Sequence, residues 1–118
     1  MKKHILGLLF AVFLVAAMGY SGRLGQIREG PMVNNELEIH YNAINDGSHH
    51  IDNAIVTIWI PNLDYFERTS SFDLGRGNKY GGFIMVPRSD VPPGDYFARI
   101  MFYSQYSSDS KWMWITLE

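Results

Sequence analysis

The chain has 118 residues, no cysteine and a formal charge of −2. The missing thiols exclude disulfides, cysteine nucleophiles, thiolate metal sites and a lipid-modified cysteine anchor, so the fold must hold by packing and hydrogen bonds. Mild acidity argues against a nucleic-acid partner, which needs a basic face.

The first element is an export segment over residues 1–19. Lys2, Lys3 and His4 form a basic start, Ile5 to Ala17 is apolar, and Ala17-Met18-Gly19 suits a signal peptidase. The mature chain would begin near Tyr20 and work outside the cytoplasm. No charge occurs from Ile5 to Gly22, a run near the lower limit for spanning a bilayer, so an uncleaved anchor over residues 5–22 is the alternative. Its basic residues would keep the N-terminus inside and the domain outside. Either way the folded part is extracytoplasmic. Loss of Lys2 and Lys3 leaves eight basic and twelve acidic side chains, a formal −4. No N-x-S/T sequon occurs.

Residues 20–35 are glycine-rich and weakly patterned, which predicts an extended leader with a short edge strand around Gln26–Arg28. The domain proper is expected over 36–118. Leu37, Ile39, Tyr41 and Ala43 alternate with Glu36, Glu38, His40 and Asn42, as a half-buried strand does. Asn45-Asp46-Gly47-Ser48 supplies turn residues that tolerate positive φ. Ala54 to Ile60 is β-branched and apolar on both faces, predicting a central, covered strand. Leu63 to Leu74 suggests either two short strands or one with a bulge. Gly75-Arg76-Gly77-Asn78 is a turn, and Gly81-Gly82 predicts a bend or bulge before Phe83-Ile84-Met85-Val86. After Pro92-Pro93-Gly94, Tyr96, Ala98, Ile100 and Phe102 share one face of a strand. Gln105 to Ser110 is a polar loop, and Trp112 to Leu117 is the last strand. About seven strands with regularly spaced turns predict an all-β fold, a single antiparallel β-sandwich behind the N-terminal signal helix.

Pro93-Gly94-Asp95-Tyr96-Phe97-Ala98-Arg99-Ile100 resembles the P-G-x-Y-x-x-R-I segment of immunoglobulin-like and fibronectin type III-like domains on prokaryotic surface proteins, archaeal ones included. Asn45-Asp46-Gly47 followed by Asp52-Asn53-Ala54-Ile55-Val56-Thr57 is similar to the hairpin of adhesion-type modules among them. The resemblance implies an immunoglobulin-like sandwich in a surface setting, without a reaction. It also implies structural roles for Gly94 and for Tyr96, whose hydroxyl would reach nearby backbone as a tyrosine corner. The Cys…Trp…Cys core of antibody domains is absent.

His49-His50 with Asp46, Asp52 and His40 is the cluster closest to a metal-ligand set. Adjacent histidines on extended chain point to opposite faces, and no H-x-H or H-x-x-x-H spacing occurs, so a solvated hairpin tip is the expected reading. The carboxylates Asp64, Glu67, Asp73, Asp90, Asp95 and Asp109 are scattered over turns, without a dense D-x-D-x-D-G loop. No G-x-S-x-G elbow or phosphate loop is present. No catalytic residue, metal or cofactor is therefore expected.

The aromatic residues carry the binding expectation. If Tyr96, Ala98, Ile100 and Phe102 face the core, Phe97, Arg99 and Tyr103 face outward; Met113, Ile115 and Leu117 likewise leave Trp112 and Trp114 outward. The two strands are sequential and should pair as a hairpin. That predicts an exposed face of Trp112, Trp114, Tyr103 and Phe97, with Arg99 in cation–π reach. The opposing possibilities are that the tryptophans are core, or that residues 20–35 cover them. The leading expectation is a non-catalytic surface or secreted module serving adhesion or envelope assembly, its partner an envelope protein or another copy of itself. A carbohydrate-binding module using the outward tryptophans is the alternative. A filament subunit is a further one, although the leader lacks the alternation of a donor strand, and a small exported hydrolase is least supported.

Overall fold

The computed structural model describes residues 21–118 apart from Ser89. The signal segment over 1–19 and the first leader residue, Tyr20, lie outside the described residues. Eight strands follow in chain order: β1 (Gly22–Val33), β2 (Glu36–Asn45), β3 (Ile51–Ile60), β4 (Tyr65–Arg68), β5 (Phe72–Leu74), β6 (Lys79–Pro87), β7 (Gly94–Tyr103) and β8 (Ser108–Leu117), with a 3₁₀ turn over Pro61–Leu63. Pairing is antiparallel throughout. One sheet runs β1-β2-β6; the other runs β4-β3-β7-β8, with β5 also on β3. Among the described residues no helix is long and apolar enough to cross a membrane.

The inner faces of the sheets meet in one sandwich-like core. Leu37, Ile39 and Tyr41 of β2 and Ile84 and Val86 of β6 supply one side. Val56 and Ile58 of β3, Ile100 and Phe102 of β7, and Ile115 of β8 are among those supplying the other. These positions are two apart along each strand, so period-2 alternation puts them all on the dry side. Burying such side chains stabilises the fold by roughly 1.5–3 kcal/mol each before chain entropy is subtracted. Tyr65 bridges the sheets at one end, donating its hydroxyl to the Met85 carbonyl at 3.1 Å.

The leader expectation is corrected first. Residues 22–33 form a full edge strand of the three-stranded sheet, so this stretch of the expected leader is part of the fold. Register shifts between Leu24 and Ile27 and between Glu29 and Met32 break its alternation, which is why the pattern reads weakly. Asn34 and Asn35, at φ 52° and 63°, make the two-residue turn into β2, both in the left-handed region that a type I′ hairpin needs. β1 runs beside β8 and is fastened to it by side chains. Asp109 accepts the Leu24 amide and Glu29 accepts the Thr116 amide, both at 2.8 Å, while Lys111 donates to the Gly25 carbonyl. These bonds satisfy two edge amides and an edge carbonyl that would otherwise be open to strand addition.

Other expectations resolve individually. Leu63–Leu74 contains two short strands, both paired with β3. The bend at Gly81-Gly82 is absent: β6 runs in register past both glycines. Their place has a different cause, since a Cβ on Gly82 would lie 2.5 Å from the hydroxyl oxygen of Tyr41, its cross-strand partner. The turn after β2 does not use positive φ at Asn45-Asp46-Gly47, none of which is left-handed. Instead buried Asn45 pins it, donating to the His49 and Leu74 carbonyls (2.8 and 2.9 Å) and accepting from the Gly47 amide (2.9 Å). β3 is central, as expected, and its outward face is covered in part: Thr57 is buried and Ile55 half-buried, while Trp59 is exposed.

Candidate functional site: an aromatic face on the five-stranded sheet

The β7–β8 hairpin forms as expected. Phe97 lies opposite Trp114 and Arg99 opposite Trp112, while Ala98, Ile100, Phe102, Ile115 and Leu117 are buried behind them. Trp112 is 45% exposed and Trp114 65%, so neither is core. Residues 22–33 do not cover them either, being engaged along the β8 edge.

The other side of β7 extends the face. β3 pairs with β7 so that Trp59 lies opposite Arg99, and β4 places Phe66 opposite Trp59. One row thus crosses four strands: Phe66, Trp59, Arg99, Trp112. Phe97 and Trp114 sit in the next row of the same face. All three tryptophans of the chain are in this cluster. Trp59 and Phe66 were not among the residues expected from sequence. Outward parity from buried Ile58 and Ile60 could have flagged Trp59, but only the non-sequential β3–β7 pairing brings it to β7.

The rings turn their faces to one another. Phe97 stacks on Trp112 with centroids 4.7 Å apart and 15° between planes, and meets Trp114 at 4.8 Å with a 37° tilt. Trp59 lies 6.2 Å from Trp112 at 55°. Such pairs contribute about 0.5–1.5 kcal/mol each beyond area burial. The Arg99 guanidinium carbon is 5.7 Å from the Trp112 ring centroid, within cation–π range. Its Nε is buried with no hydrogen-bond partner.

Tyr103 is placed apart. It is exposed on the same side of β7, but four residues beyond Arg99, opposite Ser108 and Ile55, and its hydroxyl donates to the Met101 sulfur at 3.1 Å. Parity along the strand chose its face correctly and its neighbours wrongly. Tyr96 donates its hydroxyl to the Pro92 carbonyl at 2.6 Å, a local clasp on the turn into β7. Gly94 opens that strand at φ 156°, a setting that residues with a Cβ rarely adopt.

The histidine cluster rearranges. His40 leaves it, pairing with Glu38 on β2 at 2.9 Å, and Asp46 pairs with Arg23. His50 and Asp52 lie 2.9 Å apart, and Asp73, supplied by β5, completes a set whose ligand atoms are within 4.8 Å of one another. All three are exposed, and Asp73 already accepts the Asn53 amide. On the other sheet, a depression of about 390 Å³ lies over Gly81 and Gly82, where side chains are missing, and is flanked by His40 and Phe83. Phe83 tilts against His40 at 5.8 Å.

Tyr41 sits beneath this sheet with its hydroxyl pushed up to about 12, first by burial and then by the neighbouring Tyr80, while a hydrogen bond with the Thr69 side chain pulls the other way. The Tyr65 hydroxyl is raised as well, by burial and then by the charges of Glu67 and Glu36. Both are protonated structural groups at neutral pH.

No family model matches the chain, and no curated protein does. Among solved structures, the chain is similar to part of a β-glucosidase 3B from Thermotoga neapolitana in complex with glycerol, with a TM-score of 0.56 and 16% identity over 84% of this chain. An alkylpurine DNA glycosylase of Pseudomonas fluorescens, bound to DNA containing an abasic-site analogue, follows at TM-score 0.47 and 10% identity over 80% of this chain. The chain spans 16% of the glucosidase and 31% of the glycosylase. At such identities the glucosidase likeness concerns the fold alone, an all-β sandwich-like body found as a small part of a larger protein.

Proposed function

We propose that this chain is a non-catalytic, exported module of immunoglobulin-like or fibronectin type III-like kind, and that the aromatic face of its five-stranded sheet docks a protein partner at the cell surface. The observation that carries the reading is the exposed cluster of Trp59, Phe66, Phe97, Trp112 and Trp114 on one sheet face. Contiguous exposed apolar surface of this kind marks interaction sites, and tryptophan and arginine dominate binding energy where they occur. Export is supported by the basic start and apolar run ahead of the small residues at 17–19. The Tyr96–Pro92 clasp supports the immunoglobulin-like assignment.

Ring orientation favours a protein over a glycan. Sugars stack on ring faces turned to solvent, whereas Phe97 is flanked by Trp112 and Trp114, and Trp112 has Phe97 stacked on it with Arg99 also over its ring. What the inner rings offer is a ridged apolar surface, which interdigitates with side chains better than it holds a pyranose.

Because every tryptophan lies in this face, selectively excited tryptophan fluorescence reports on it. Extracts of the producing cells are passed over immobilised wild-type protein and over a Trp112→Ser/Trp114→Ser variant that remains folded by circular dichroism. A specific protein retained by the wild type and lost from the variant, with fluorescence unmoved by soluble glycans, is the expected result. Saturable quenching by a glycan, or equal retention by both baits, contradicts the reading. Intact mass of the protein from its native source tests export, with a chain starting near Tyr20 expected.

A further inference from the structure

We propose that Arg99 is an anion anchor of this face, receiving a carboxylate that the partner presents among apolar or aromatic side chains. The inference rests on the reading of the face as a docking surface and names what the partner must bring. Arg99 is central in the row, with Trp59 opposite it on β3, Trp112 opposite it on β8, and Phe97 two residues away on the same side of β7. Among the described residues its side chain makes no ion pair, and its buried Nε has no hydrogen-bond partner; its guanidinium lies over the ring of Trp112.

That is an unusual place to leave a cation. A guanidinium offers five donors, and a buried one left unmatched is unfavourable. Cation–π contact offsets part of that cost and satisfies no donor. An apolar residue here would extend the aromatic patch without that penalty. The carboxylate of Asp95, on the same face of β7, is engaged by the Thr116 hydroxyl at 2.8 Å. The charge is thus held unmatched in a ring-walled position from which water is displaced once a partner seats. There an ion pair gains from the lowered dielectric, and planar carboxylates match the guanidinium fork. The domain itself is acidic, so long-range attraction does not draw an anionic partner in. Recognition is local: an acidic group matters only when apolar neighbours bring it to the rings.

The test selects phage-displayed random peptides on the immobilised chain. Enriched peptides are then titrated against wild-type, Arg99→Gln, Arg99→Lys and Trp114→Ser proteins, by tryptophan fluorescence or, for Trp114→Ser, by calorimetry. The proposal expects enriched peptides to place Asp or Glu beside an aromatic or branched aliphatic residue. Changing that acid to its amide should weaken binding about 10- to 100-fold, as should Arg99→Gln, and the two changes together should cost no more than either alone. Arg99→Lys, which keeps the charge without the fork, should fall between. Peptides that need Trp114 but ignore both their acid and Arg99 overturn the anchor while leaving the docking face intact. Failure to enrich any peptide that depends on Trp114 overturns both.

Discussion

Replacing Trp112 and Trp114 by serine, singly and together, separates an exposed aromatic cluster from a core in one experiment. An enclosed tryptophan buries roughly 150–250 Å². Trp114 remains 65% exposed. Only about a third of that area, roughly 50–90 Å², is withdrawn from water, so Trp114→Ser should cost about 1–2 kcal/mol at ~25 cal/mol/Å². Trp112 is 45% exposed and holds the Phe97 stack and the Arg99 contact. Its loss should cost about 2–4 kcal/mol, reduced where water regains the Arg99 Nε. Phe102, fully buried, is the reference: Phe102→Ala should cost about 3–5 kcal/mol. Because Phe97 touches both tryptophans, the double variant should deviate from additivity by about 0.5–1 kcal/mol. Urea titration followed by far-UV circular dichroism reads these values, with unchanged denaturant dependence showing that the same transition is compared. If Trp114→Ser destabilises as much as Phe102→Ala, the ring is core and the face does not exist. If neither tryptophan matters beyond 0.5 kcal/mol, the rings are not packed together in solution.

Three further outcomes test other parts of the account. Gly82→Ala should destabilise by about 1–3 kcal/mol because its Cβ would lie 2.5 Å from the buried Tyr41 hydroxyl oxygen, while Gly81→Ala, 3.3 Å from the Asn42 side chain, should be far milder; thermal melting distinguishes them. Asn45→Ala strands the buried Leu74 carbonyl and the part-buried His49 carbonyl and should cost about 1–3 kcal/mol in urea unfolding, with equal stability to wild type refuting its role as the pin of the turn. In strong alkali the unfolded chain releases the Tyr41 proton near pH 10 and the folded chain near 12. That contribution is therefore complete below pH 10 and declines through about 12, and Tyr41→Phe should show a shallower fall in urea midpoint over that range.

What could be read without coordinates follows from the physics of each strand. β2, β7 and β8 have one dry side and one wet side in undisturbed register, so alternation named their core residues and turned Phe97, Arg99, Trp112 and Trp114 outward. β1 obeys the same rule, but its two register shifts hide the period, and the Asn34-Asn35 turn was the available signal. Gly81-Gly82 was misread because a glycine that admits a neighbour's ring looks the same in sequence as one that bends the chain. At the site, a local hairpin was readable, whereas Trp59 and Phe66 arrive through pairing between strands distant in the chain, which alternation does not encode. Tyr103 shows the converse: parity gives a face, and only register gives a neighbour.

The central claim, that the tryptophan face is where a protein docks, is tested most directly by photo-crosslinking in the cells that make the protein. A benzophenone side chain replaces Trp114 in one strain and Phe83 in another; Phe83 is 54% exposed and comparably apolar, but lies on the other sheet. A discrete protein adduct from position 114, and none from position 83, is the predicted result. No adduct from position 114, or the same adducts from both positions, would contradict it.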